Sequence, residues 1–145
     1  MAVRVRVRIE RLPAGAGPVL ETIALANTGY EGGPPNLSLP ILAARALGLW
    51  PPPSDAVREA LQAYGGIVQT WAVRDAVRLK VVAPDREGPW AQASVVLAET
   101  DNEAVLSDCL LDAIELLILK PGQGTWCFWN ELGQLTRKSE PPTLW

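Results

Sequence analysis

Histidine is absent from this chain, and cysteine, methionine and phenylalanine are scarce, at two, one and one residues in 145. Without an imidazole, no serine or cysteine triad with a histidine base can form. Cys109 and Cys127 match no metal-site spacing, so no metal centre and no cofactor is expected, and the two are read as ordinary thiols. No apolar run is long enough to cross a bilayer. Residues 1–11 alternate Arg with Val and lack the apolar core of a leader peptide, so a cytoplasmic location is expected, with no membrane partner. Strong charge of either sign is also missing: 13 basic against 16 acidic residues give a net charge of −3, which offers nucleic acid no general attraction.

What is present suits a packed core. Hydrophobic residues make up 48% and charged residues 20%, unlike a disordered chain. The length fits one domain, residues 1–145, with a core over about 3–129 and a tail over 130–145. The 13 prolines and 12 glycines divide the chain into short segments.

Val3, Val5, Val7 and Ile9 alternate with Arg4, Arg6, Arg8 and Glu10, a period-two strand whose Arg face is read as solvated. A turn over 12–18 precedes a second strand, 19–26. That strand ends in the apolar run Ile23-Ala24-Leu25-Ala26 and a small polar turn, Asn27-Thr28-Gly29-Tyr30-Glu31-Gly32, whose glycines permit positive φ. Residues 31–38 read as a Gly-Pro loop. Ser38 is placed as cap of a following helix, Pro40 in its first turn and Gly48 at its end, with Leu42, Ala46 and Leu49 as its core stripe. Residues 54–63 favour helix by propensity, yet Tyr64-Gly65-Gly66 carries hairpin chemistry; a hairpin is expected, with a short helix near 55–59 left open. Strands are expected at 76–83, 90–98, 104–106, 117–120 and 125–129, an exposed acidic loop at 99–103, and a helix from 109 to about 116 capped by Ser107 or Asp108. Asp108 and Asp112 lie four apart, but exposed acids near a helix start are ordinary. Trp126 and Trp129 are read as core or dimer surface.

The strand ending Asn27-Thr28-Gly29, followed by Leu37-Ser38-Leu39-Pro40, a short helix and Gly48-Leu49, resembles the retropepsin-like aspartic peptidases. The resemblance spans roughly residues 19–128. It implies a mainly β acid-protease fold, a partly open or closed barrel with one or two short helices, in a two-fold homodimer. It implies further that each chain donates one turn to a shared active site taking an extended peptide or protein substrate. Asn27, Thr28 and Gly29 would occupy the catalytic turn; Tyr30 and the flap residues Tyr64, Gly65 and Gly66 would contact substrate. The tail over 130–145 is a candidate for the dimer interface. The residues at 105–107 resemble the second buried turn, where the family usually has Gly in place of Ser107. The departure falls on the chemistry: Asn27 stands where the family has its aspartate, and an amide has no proton to exchange in the useful range. The chain is therefore expected to be inactive as an aspartic endopeptidase. Two accounts of Asn27 stay open, natural loss or replacement of a native aspartate, and so does a non-catalytic peptide-binding or assembly module using the same groove.

Overall fold

A computed structural model describes all residues, 1–145. Strand accounts for 46% of the chain, with two short helices. The strands are β1 (Arg4–Arg11), β2 (Val19–Ala26), β3 (Asn36–Leu39), β4 (Val57–Ala63), β5 (Gly66–Val81), β6 (Ala91–Leu97), β7 (Ala104–Leu106), β8 (Leu116–Lys120), β9 (Thr125–Phe128) and β10 (Arg137–Lys138). The helices are α1 (Ile41–Ala46) and α2 (Asp108–Ala113). Neither is long and apolar enough to cross a membrane.

Strands β1-β2-β7-β3-β6-β5 form a sheet that closes on itself because β1 pairs with β2 along one edge and with β5 along the other. The alternation of β1 makes this possible. Val3, Val5, Val7 and Ile9 are at most 1% exposed and point into the barrel, while Arg4, Arg6 and Arg8 face outward. Two edge interactions for one strand leave no free barrel edge there.

β2 and β3 follow one another in sequence but do not pair. β7 lies between them, parallel to β2 and antiparallel to β3. This insertion brings the turn after β2 against the end of β7. β5 runs for 16 residues and bends between Val73 and Val77, where Asp75 takes φ +47° and the register with β6 shifts. Its second half belongs to the barrel. Its first half pairs with β4 in a hairpin turning at Tyr64 and Gly65. Every β4 residue except Leu61 is exposed, so this hairpin projects from the barrel.

Several expectations for the first helix need correction. Ser38 lies in β3, not at a helix cap; Pro40 is the capping residue and makes no side-chain cap bond. The phase of the stripe also differs: Leu42 is 53% exposed and Ala46 is exposed, while Ala43, Ala44 and Leu47 are buried. Small alanines let the helix lie close to the barrel. Gly48 does end it, at φ +70°, with N–H bonds from Gly48 to the Arg45 carbonyl (3.0 Å) and from Leu49 to the Ala44 carbonyl (2.8 Å). The helix left open near 55–59 is absent, since strand begins at Val57. Cys109 and Cys127 are free thiols.

The last third of the chain forms a smaller sheet, β8-β9-β10. Trp126 (4% exposed) and Phe128 (fully buried) meet edge to face at 5.2 Å, whereas Trp129 is half exposed. One carboxylate ties this sheet to the barrel. Glu131 accepts from the Phe128 N–H (3.0 Å) and from the Arg137 guanidinium (2.9 and 2.6 Å), and Arg86 approaches within 3.4 Å. Arg137 also forms a bidentate pair with Asp85 at 2.6 and 2.9 Å. The Arg137 hydrogen bonds hold the Glu131 carboxyl down at about 2, against an ordinary 4.5. A depressed value means that its contribution is full above the ordinary carboxylate range and is lost as the pH falls toward 2. Glu131→Gln should therefore lower stability by about 2 kcal/mol at neutral pH, the loss of a charge-assisted bond set. Urea unfolding measured from pH 7 to 3 should show a smaller loss of stability on acidification for this variant than for the unmodified chain.

Candidate functional site

The turn after β2 is built by its own side chain. The Asn27 Oδ1 accepts from the Gly29 N–H at 2.9 Å, and the Tyr30 N–H donates to the Asn27 carbonyl at 3.1 Å. A Cβ on Gly29 would sit 3.2 Å from that Oδ1. Glycine serves close approach at position 29, whereas positive φ is confined to Gly32, at +129°. Two further bonds pin the turn to the chain around α2. The Asn27 N–H donates to the Leu106 carbonyl (3.2 Å) and the Asp108 N–H to the Tyr30 carbonyl (2.9 Å). Thr28 and Gly29 are left exposed at the apex and Asn27 half-buried.

Ser107 joins three segments. Fully buried, its hydroxyl accepts from the Asn36 N–H (2.9 Å) and from the Leu110 N–H (3.3 Å), and its own N–H donates to the Asn36 carbonyl (3.1 Å). Its role as the cap of α2 was legible; the bond to β3 was not, because nothing near Ser107 in sequence points to Asn36. Asp108 bonds the adjacent Cys109 N–H at 2.6 Å, and no group of three or more acidic, cysteine or histidine side chains converges to hold a metal.

The hairpin carries the second group of candidate residues. Gly65 and Gly66 take φ +96° and +137°, backbone that other residues resist, at a tip where Tyr64 is fully exposed. Tyr64, Gly65 and Gly66 are all exposed. Tyr30 lies close to the hairpin. Burial pushes its phenol up to about 12, and the charges of Asp101 and of Glu59 on β4 add to this. The Tyr30 hydroxyl is enclosed and has no hydrogen-bond partner.

Between the first half of β5 and the end of β6 lies an open groove of about 350 Å³, lined by Arg58, Ile67, Gln69, Trp71, Leu97 and Glu99. The Arg58 guanidinium lies over the Trp71 ring at 4.9 Å. The groove opens because β6 pairs with β5 only from Trp71 onward, so residues 66–70 pair with β4 alone. Glu99 and Thr100 on its rim are exposed as expected for an acidic loop, but Asp101 is not. It turns inward and accepts from the Ser38 hydroxyl, and burial raises its carboxyl above the ordinary value. Neither Asp101 nor Trp71 was legible as part of a site, since both depend on contacts remote in sequence.

No protein-family model matches the chain, and no curated protein matches it significantly.

Ser107→Ala would leave the half-buried Asn36 N–H and the buried Leu110 N–H without their acceptor. An expected loss of about 1–3 kcal/mol in chemical unfolding checks this, with Ser107→Thr losing less.

Proposed function

We propose that the chain is one half of a retropepsin-like peptidase, a two-fold homodimer that holds an extended peptide beneath its hairpins and that lacks catalysis because Asn27 replaces the aspartate. The observation that carries this reading is the occurrence of three features in one fold. They are an Asn-Thr-Gly turn fixed against the end of an inserted parallel strand, a short helix starting directly after that strand, and a glycine-tipped hairpin beside an open groove.

The two-fold association has physical support. Thr28 and Gly29 present their turn outward, unburied by their own chain. β8 is an outer strand of its sheet, carrying Leu117, Ile118 and Leu119, all only partly covered. An apolar edge strand is a template for pairing, and an antiparallel pair about a two-fold axis is self-complementary.

Two carboxylates about 3 Å apart share one proton, so one can take a proton from water while the other donates to the scissile carbonyl. Two Asn27 amides can do neither. The amide nevertheless accepts the Gly29 N–H as a carboxylate would, so the turn keeps its shape while losing its proton chemistry. That neutrality also favours the second reading, a peptide-binding module that adds a strand to a sheet edge without cutting it.

The decisive variant is Asn27→Asp. It should hydrolyse peptides with an acid-favoured profile, at least about 10²-fold faster than the unmodified chain, and be inhibited by pepstatin. Activity should fall as rising pH removes the shared proton. A folded, dimeric Asn27→Asp protein that cleaves nothing in a peptide library across the acid-to-neutral range would eliminate the peptidase reading. Peptide binding by both forms without turnover would establish the module.

A further inference from the structure

The C-terminal residues run from the small sheet across the outside of the barrel. The Ser139 N–H donates to the Gly124 carbonyl (2.7 Å), the Ser139 hydroxyl accepts from the Arg4 N–H (2.8 Å), and the Glu140 N–H donates to the Arg4 carbonyl (2.9 Å). The path ends at Trp145. Its indole packs on the core, the indole N–H donates to the hydroxyl of buried Thr22 (3.2 Å), and its backbone N–H donates to the Asn102 carbonyl (2.9 Å).

Asn102 belongs to the loop 98–103, whose residues Glu99 and Thr100 form one rim of the groove. That loop is fastened at three neighbouring positions. Ser38 holds Asp101 from inside, Trp145 holds Asn102, and Arg4 holds Glu103 through a bidentate pair at 2.8 and 3.0 Å. Arg4 is also the residue over which the tail crosses. Two of the three fastenings therefore depend on the tail or on the residue it crosses.

We propose that residues 139–145 act as a strap that fixes the rim of the groove, with Trp145 as a positioning residue for whatever the groove binds. A six-residue loop between β6 and β7 has few contacts of its own and opens locally unless tied. The Trp145 ring supplies the apolar contact; the Thr22 bond orients the ring so that its backbone N–H meets Asn102. The strap stands on its own geometry, and only its effect on ligand affinity rests on the peptide-groove reading.

Hydrogen exchange of the full chain, followed by mass spectrometry, separates the two. In Trp145→Ala the amides of 99–103 should exchange about tenfold faster, and in Thr22→Val, which keeps the volume and removes one acceptor, severalfold faster. Leu144→Ala, at a side chain 66% exposed, should leave exchange unchanged. Circular dichroism checks that each variant is folded. Pepstatin, used as the peptide probe in the Asn27→Asp background, should bind the chain carrying Trp145→Ala about tenfold more weakly than the chain keeping Trp145. Unchanged exchange in both Trp145→Ala and Thr22→Val would overturn the strap. Faster exchange with unaltered pepstatin affinity would overturn its link to the groove. Faster exchange with no pepstatin binding even by the Asn27→Asp chain that keeps Trp145 supports the strap and counts against the peptide-groove reading instead.

Discussion

Everything distinctive in this molecule depends on β7 being placed between β2 and β3. Three residues, Ala104, Val105 and Leu106, separate two strands that are neighbours in sequence. A strand so short cannot hold its place by its own ladder. It is held at its end, where the Leu106 carbonyl accepts from Asn27 and buried Ser107 binds both β3 and α2. Those bonds also shape the exposed turn. The barrel core and the candidate site are therefore built from one set of contacts, and disturbance of either reaches the other.

The chemistry at that turn divides shape from charge. An Asx turn needs an oxygen acceptor two residues before an N–H, which Asn and Asp both provide. Proton transfer near neutral pH needs a titratable group, which only Asp provides. The conformation seen at Asn27 is thus compatible with either residue, and no rearrangement separates an inactive chain from one with a carboxylate there. Tyr30 in the same turn, and Asp101, whose charge acts on its phenol, are both partly enclosed and pushed toward their neutral forms, one without a partner and the other bonded to Ser38.

Local pattern carried much of the fold. The Val/Arg alternation of β1 is periodic and the run ending at Ala26 is continuously apolar, and the barrel buries one face of the first and most of the second. The two glycines at 65 and 66 outweighed the helix propensity of the residues before them, because pairing across the hairpin is decided by the tip. Legibility ended where distance in sequence began. Ser38-Leu39-Pro40 reads as a helix start in any window, yet the parallel pairing of β3 with β6 extends strand through Leu39. Arg74 and Asp75 look like a break between strands, and β5 instead bends through them. The acidic character of 99–103 implied full exposure and concealed Asp101. The tail over 130–145 carried no periodic signal at all, although Glu131, Arg137 and Trp145 each hold distant parts of the chain together.

Two features of the single chain remain energetically incomplete. A two-stranded ribbon is marginal in water, and the β4–β5 hairpin has most of both strands exposed near its tip, including Tyr64 and Ile67. The β8 edge leaves partly covered apolar side chains beside unpaired backbone groups. In the proposed two-fold cleft a bound peptide would cover the hairpin and a second copy would cover β8. The strap then has a physical purpose in that arrangement. The groove has the exposed hairpin on one side, and the bonds to Ser38, Arg4 and Trp145 hold the opposite rim in place.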